Sequence, residues 1–97
     1  MIEAFQYINK AFESKVRLGI MAILMVNEEA DFNFLKEQLS LTDGNLASHT
    51  RALEELGYIV CNKSLSDENH GLFSSNPQGR EAFKSHIEAL EKFLKSK

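Results

Sequence analysis

The chain has 97 residues, a length that forms one domain rather than two. Its hydrophobic fraction of 43% excludes a disordered tail, and its longest apolar run, LGIMAILMV at 18–26, is well short of the roughly 20 residues that span a bilayer. The net charge of −3 gives no overall attraction to nucleic acid or anionic lipid, so any such binding must come from a local patch.

Two features predict where the protein acts. The N-terminus, MIEAFQYINK, lacks a basic start followed by an apolar block, so we expect no signal peptide. Cys61 is the only cysteine, which excludes an internal disulfide and agrees with a reducing cytosol. We therefore expect a cytoplasmic protein without a membrane partner.

Two helices are predicted in the first part of the chain. Apolar residues recur three or four positions apart in a first helix over 1–13: Ile2, Phe5, Ile8 and Phe12. Ser14 can cap a second helix over about 15–26, whose apolar residues point nearly all round, as in a helix at the centre of a domain. The segment 31–33 could then add one strand to a small sheet.

A pair of short helices follows. The first covers about 34–39, with Phe34, Leu35 and Leu39 facing inward, and a tight turn ends it at 40–41. Thr42 caps the second, which ends near Leu56 and Gly57. Its predicted buried stripe is Leu46, Thr50 and Leu53, and its outer stripe is Asn45, Ser48, His49 and Ala52.

The last third predicts a hairpin and a long helix. Residues 58–61 and 72–75 are strand-like and enclose a polar stretch, and Asn76-Pro77 is a strong helix start. The final helix, over 77–97, carries a seam spaced like a coiled coil, namely Phe83, Ile87, Leu90 and Leu94. Ala89 and Phe93 widen that seam.

This order of elements predicts a mainly α protein with a small β-hairpin, within the α+β class. We interpret residues 1–97 as a single winged helix-turn-helix domain. The helix-turn-helix would occupy 34–56 and the wing hairpin 58–75, with dimerisation helices at 1–13 and 77–97. Phe5, Ile8, Phe12, Ile87, Leu90, Phe93 and Leu94 are the expected dimer interface, because the two terminal seams exceed what one small domain can cover.

Three segments carry a family resemblance: SKVRLGIMAIL at 14–24, FNFLKEQLSLTDGNLASHTRALEELGYI at 32–59 and NPQGREAF at 76–83. They closely resemble the small MarR-like winged-helix transcriptional regulators of bacteria and archaea. The resemblance implies a homodimer that binds operator DNA, with the Thr42-capped helix as recognition helix and the hairpin as wing. The wing departs from the family pattern, because Asp67 and Glu68 stand where relatives usually carry several basic residues.

The candidate DNA contacts are few. Thr42, Asn45, Ser48 and His49 lie on the first two turns of the recognition helix, where side chains reach base edges. Lys36, Arg51 and Lys63 are the best phosphate candidates, with Arg17 further back. The sparse positive charge predicts modest affinity that depends on dimerisation.

Other functions are less well supported by the sequence. The three histidines lie on different elements and Cys61 has no partner nearby in sequence, so we predict no metal site and no cofactor. Because no catalytic constellation appears, we predict a non-enzyme. A small-molecule effector could occupy a groove at the dimer interface, but no residue singles one out. The alternative function is a winged-helix protein-interaction module, which the acidic wing favours.

Overall fold

The structure, a computed structural model, describes residues 7–62 and 71–95. Within these ranges, the chain forms four helices and a small sheet. The elements are a 3-10 turn at Lys10–Glu13, α1 at Lys15–Val26, β1 at Ala30–Asp31, α2 at Phe32–Leu39, α3 at Asp43–Glu55, β2 at Ile59–Asn62, β3 at Leu72–Ser75 and α4 at Pro77–Lys95. The predicted mainly α winged-helix fold with a small sheet is confirmed.

The sheet is antiparallel, with β3 between β1 and β2. Phe73 at its centre lies opposite both Ala30 and Cys61. The predicted hairpin is therefore present, and the predicted short strand begins one residue earlier than expected. Residues 63–70, which include the acidic part of the predicted wing, lie outside the described ranges.

The core forms around α1. Ile20, Met21 and Leu24 are at most 1% exposed, and they pack with buried residues of α2, α3 and the sheet. The central position predicted for α1 is thus confirmed. Burial is not complete all round, because Ala22 is exposed and Val26 in the last turn is 83% exposed.

Side-chain caps set where the helices begin. Ser14 Oγ accepts from the Arg17 amide at 3.3 Å, and Thr42 Oγ1 accepts from the Asn45 amide at 3.2 Å, as predicted for both helices. Between α2 and α3 the chain turns at Ser40, whose φ of 54° is left-handed. The Leu41 amide donates to the Lys36 carbonyl at 3.0 Å across this turn and so fixes the angle at which α3 leaves α2.

The first predicted helix is wrong over its described part. Residues 7–9 form a turn, after which Asn9 caps only the short 3-10 turn at Lys10–Glu13. The Asn9 side chain accepts from the Ala11 amide at 2.8 Å, which starts a new element where the apolar periodicity predicted a continuous helix. Residues 1–6, including Phe5, lie outside the described ranges.

Two aromatic assignments need correction. Phe12, predicted at the dimer interface, is 3% exposed within the single chain, where its ring contacts Tyr58, Phe83 and His86. It is therefore a core residue with no surface left for a partner. Phe34, predicted to face inward, is 40% exposed, whereas Phe32 is 4% exposed. The reason is that α2 begins at Phe32, so that its inward row runs through Phe32 and Leu35.

Candidate nucleic-acid interface

Helix α3 has one buried face and one open face. Leu46, Thr50 and Leu53 are at most 3% exposed, as the sequence predicted. The opposite face carries small or polar residues that are exposed to solvent, namely Gly44, Asn45, Ser48 and Arg51. We call these four residues the α3 outer face. A methyl group added at Gly44 would meet no atom within 4 Å, so nothing in the described chain covers this turn.

The predicted base-reading residues separate into two groups. Asn45 and Ser48 lie on the α3 outer face, and Thr42 lies just before it with its hydroxyl accepting the capping bond. His49 instead lies on the flank of α3, half-buried against α1. There the Arg17 Nε donates to His49 Nδ1 at 3.1 Å. The sequence predicts that Arg17 lies behind the site, but the structure places it in the site, in contact with His49.

The charge state of His49 follows from this position. Burial lowers its pKa below the ordinary value of 6.5, and the positive charge of Arg17 lowers the pKa further. Both effects favour the neutral imidazole at neutral pH. His49 therefore contributes hydrogen bonding rather than positive charge to this surface.

The remaining candidate cations are unequally placed. Lys36 Nζ lies 2.8 Å from Asp43 Oδ1, and the two side chains are 34% and 67% exposed. Such an exposed pair contributes at most about 1 kcal/mol, so a phosphate could compete for the lysine. Arg51 is exposed on the α3 outer face, and Lys63 lies outside the described residues. Lys36, Arg17 and Arg51 thus place three cations on or beside the helix-turn-helix.

The candidate dimer residues also differ in their exposure. Leu94, in the last turn of α4, is 74% exposed. Ile87, Leu90 and Phe93 on the same helix are half-buried, as is Ile8. The four of these residues that belong to α4 leave an apolar surface along that helix, and Tyr7 lies beside it, where it lines a cavity with Ala89 and Lys92.

His86 was not assigned a role from the sequence. It is 3% exposed, and its Nδ1 accepts from the Asn9 amide at 2.9 Å. Asn9 Nδ2 also donates to the Tyr58 hydroxyl at 3.0 Å, which ties the N-terminal segment to both α4 and the sheet. His86 differs from a surface histidine because its side of α4 is covered by Asn9 and Phe12. The helical pattern of the sequence does not specify this contact.

Residues 7–62 and 71–95 contain no group of three or more His, Cys, Asp or Glu side chains arranged to hold a metal ion. None of the helices in those ranges is both long enough and apolar enough to cross a membrane.

Comparison with known proteins identifies the family. A family model described as a winged helix DNA-binding domain matches residues 16–94. An uncharacterized protein of Methanocaldococcus jannaschii is 43% identical over 79 residues, which cover 80% of this chain and 86% of that protein.

Solved structures share the whole fold. The transcriptional regulator homologue protein from Pyrococcus horikoshii OT3 is 30% identical, with a TM-score of 0.86 over 97% of this chain and 95% of that one. The transcriptional repressor CouR, bound to a 23-mer DNA duplex, is 17% identical, with a TM-score of 0.77 over 94% of this chain and 67% of that one. The chain belongs to the winged helix DNA-binding domain family and is a non-enzymatic, MarR-like DNA-binding transcriptional regulator.

Proposed function

We propose that the protein acts as a cytoplasmic homodimer that inserts α3 of each copy into a major groove of operator DNA. The α3 outer face is the observation that carries the proposal. It is small, polar and exposed, and its first turn is uncovered at Gly44. A helix with this surface can enter the major groove, which is about 12 Å wide.

Each residue of the α3 outer face suits a different contact. The Asn45 amide can donate and accept together, which matches the edge of adenine, and Ser48 can pair with several bases. Gly44 has no side chain, so the DNA can approach the backbone of α3 closely. Arg51, two turns along, can neutralise a phosphate. Asn45 and Ser48 would therefore set sequence preference, and Arg51 would set general affinity.

The homodimer is supported by the apolar surface of α4. This helix has 19 residues, which makes it about 28 Å long, in a molecule whose axes measure 50 × 25 × 21 Å. Leu94 near its end is 74% exposed, a large apolar side chain that a second copy would cover. We place Ile8, Ile87, Leu90, Phe93 and Leu94 in this interface. Two symmetric copies would then contact half-sites about one helical turn apart.

DNA binding is tested by selecting a preferred sequence from a random library with the purified protein and measuring affinity by fluorescence anisotropy. Arg51→Ala should weaken binding to all sequences and reduce the salt dependence by about one phosphate per subunit. Asn45→Ala should instead change which sequence is preferred. Lys84→Ala, which removes an exposed cation from α4, is the matched control and should change neither. If no sequence is enriched, the proposal is wrong.

The dimer has its own test. Leu94→Lys should convert the dimer to monomer in sedimentation velocity and reduce the affinity for a two-half-site operator. Val26→Lys is the matched control, because Val26 is an equally apolar residue that is 83% exposed on α1. If both variants remain dimeric, α4 does not carry the interface.

One observation favours the second candidate, a protein-interaction module. The Lys36–Asp43 pair neutralises one of the few cations beside α3, and the wing at 58–75 has a single lysine, Lys63, against Asp67 and Glu68. The test is the double change Asp67→Lys and Glu68→Lys, at positions outside the described residues. If only this variant binds DNA while the natural chain does not, the interaction module becomes the better explanation.

A further inference from the structure

The bond between Arg17 and His49 has a chemical consequence for the imidazole. Arg17 Nε lies 3.1 Å from His49 Nδ1. The guanidinium of arginine keeps its protons in proteins and can only donate hydrogen bonds. His49 Nδ1 must therefore accept, which means that it carries no proton. A neutral imidazole accepting at Nδ1 holds its single proton on Nε2.

The other ring nitrogen of His49 reaches solvent. His49 Nε2 makes no hydrogen bond with another described residue. At the same time, no buried side-chain nitrogen or oxygen within residues 7–62 and 71–95 lacks a partner. Since Nε2 has no partner, it cannot be one of the buried atoms. His49 thus presents an N–H donor to solvent, on the flank of α3 beside the α3 outer face.

We propose that Arg17 is a positioning residue that holds His49 as its Nε2–H tautomer, so that His49 can only donate to the DNA. This inference rests on the proposed function, since it assigns one contact of the same surface. A fixed donor pairs with an acceptor on a base edge in the major groove, such as a purine N7, guanine O6 or thymine O4. It cannot pair with the amino groups of cytosine or adenine. His49 should therefore select against cytosine at the position it contacts.

The surroundings of His49 favour the same state. On α3, the residues one turn away are Asn45, Leu46, Ala52 and Leu53, which do not titrate. From α1, Arg17 brings the charge that lowers the pKa of His49, in addition to the effect of burial. The imidazole therefore stays neutral at neutral pH. Below the ordinary histidine pKa it gains a proton progressively, and Nδ1 can then no longer accept from Arg17.

The tautomer can be measured without DNA. In the full chain labelled with 15N, the imidazole shifts of His49 should show an acceptor Nδ1 and a protonated Nε2 at pH 7.5. His49→Gln assigns the signals. Arg17→Met, which keeps the aliphatic stem but removes the donor, should produce a mixture of tautomers. Arg17→Lys, which keeps a side chain that can only donate, should restore the single tautomer. A proton on Nδ1 in the natural chain, or no change in Arg17→Met, overturns the proposal.

The selected operator tests the readout. Each purine is replaced in turn by its 7-deaza analogue, which removes N7, and each base pair is replaced by its alternatives. Arg17→Met should reduce discrimination at one position by about 5- to 10-fold, the effect of one hydrogen bond. In the His49→Ala background the same change should have no further effect at that position, which a double-mutant cycle measures.

The outcomes separate the two proposals. If an operator is selected but Arg17→Met leaves discrimination unchanged at every position, this inference is wrong and the proposed function stands. If no operator is enriched, the proposed function fails, and the base-reading role of His49 fails with it. The circular dichroism melting curve of each variant shows that a loss of discrimination does not come from unfolding.

Discussion

The first turns of α3 and α4 each contain a glycine, but their surroundings are opposite. A methyl group added at Gly44 in α3 would meet nothing within 4 Å. A methyl group added at Gly79 in α4 would lie 2.7 Å from the Cα of Tyr58. One turn is left open to solvent and the other is pressed against backbone.

The first turn of α4, which we call the closed turn, fixes the position of α3, whose first turn we call the open turn. The Asn76 amide donates to the Tyr58 carbonyl at 2.9 Å, and Asn76 Nδ2 donates to the Gly57 carbonyl at 2.9 Å. Gln78 Nε2 adds a bond to the Leu56 carbonyl at 3.3 Å. The start of α4 is therefore bonded to the end of α3. Helix α3 is thus fixed at its C-terminal end, while the outer side of its first two turns, at Gly44, Asn45 and Ser48, is exposed to solvent.

The largest effect is expected at the closed turn. Gly79→Ala should lower the free energy of unfolding by about 2–3 kcal/mol, because the added methyl group collides with backbone that cannot rotate away. Urea denaturation measures the change. A loss of less than about 0.5 kcal/mol would show that the start of α4 can shift without cost, and the contrast between the two turns would then be much weaker.

Acid should lower the stability of the fold through His86, which is buried on α4. Burial lowers the pKa of His86 below 6.5, so the folded state binds this proton less readily than the unfolded state. The stability that depends on neutral His86 is complete above about pH 6.5 and decreases as pH falls below it, by at most about 1.4 kcal/mol per pH unit. His86→Gln keeps an acceptor for the Asn9 amide without titrating.

Urea denaturation between pH 7.5 and 5.0 should therefore show a smaller loss for His86→Gln than for the natural chain. His49 adds a loss of the same sign, because its pKa is also lowered. His49→Gln separates the two contributions. Equal losses for His86→Gln and the natural chain would remove His86 as a source of acid sensitivity.

Sequence periodicity predicted the helices whose apolar rows face a single core. The buried stripe of α3 and both of its ends follow from the spacing of leucines, a threonine cap and a terminal glycine. Gly57, with a φ of 78°, ends α3 as predicted. These features are local, so they could be derived from neighbouring residues alone.

The sequence predictions were wrong where contacts between residues far apart in the chain determine the structure. Phe12 has helical spacing with Ile8, yet a capping asparagine starts a new turn before it and its ring packs into the core. Arg17 and His49 lie 32 residues apart, and nothing in either local sequence predicts that they meet. The packing of α1 against α3 creates that pair, and it moves His49 from the outer face of α3 to its flank.

The open turn predicts two opposite effects of one substitution. Gly44→Ala should raise the free energy of unfolding by about 0.5–1 kcal/mol, because alanine favours the helix and the methyl group has room. The same change should weaken binding to the selected operator several-fold, if the DNA approaches the backbone at this position. Denaturation and anisotropy on the same sample measure both. A variant that is more stable and binds DNA equally well would show that the duplex does not approach Gly44.

The smallest effect is expected at the edge of the open turn, where Asp43 holds Lys36 at 2.8 Å. Asp43→Asn should release the lysine for a phosphate and raise DNA affinity by about 2- to 5-fold, which corresponds to the energy of one exposed ion pair. The salt dependence should steepen by about one phosphate per subunit. Glu37→Gln is the matched control, because it removes the same charge from an exposed position next to Lys36. If the two variants gain equally, the change in net charge explains the gain, and the ion pair does not withhold Lys36 from DNA.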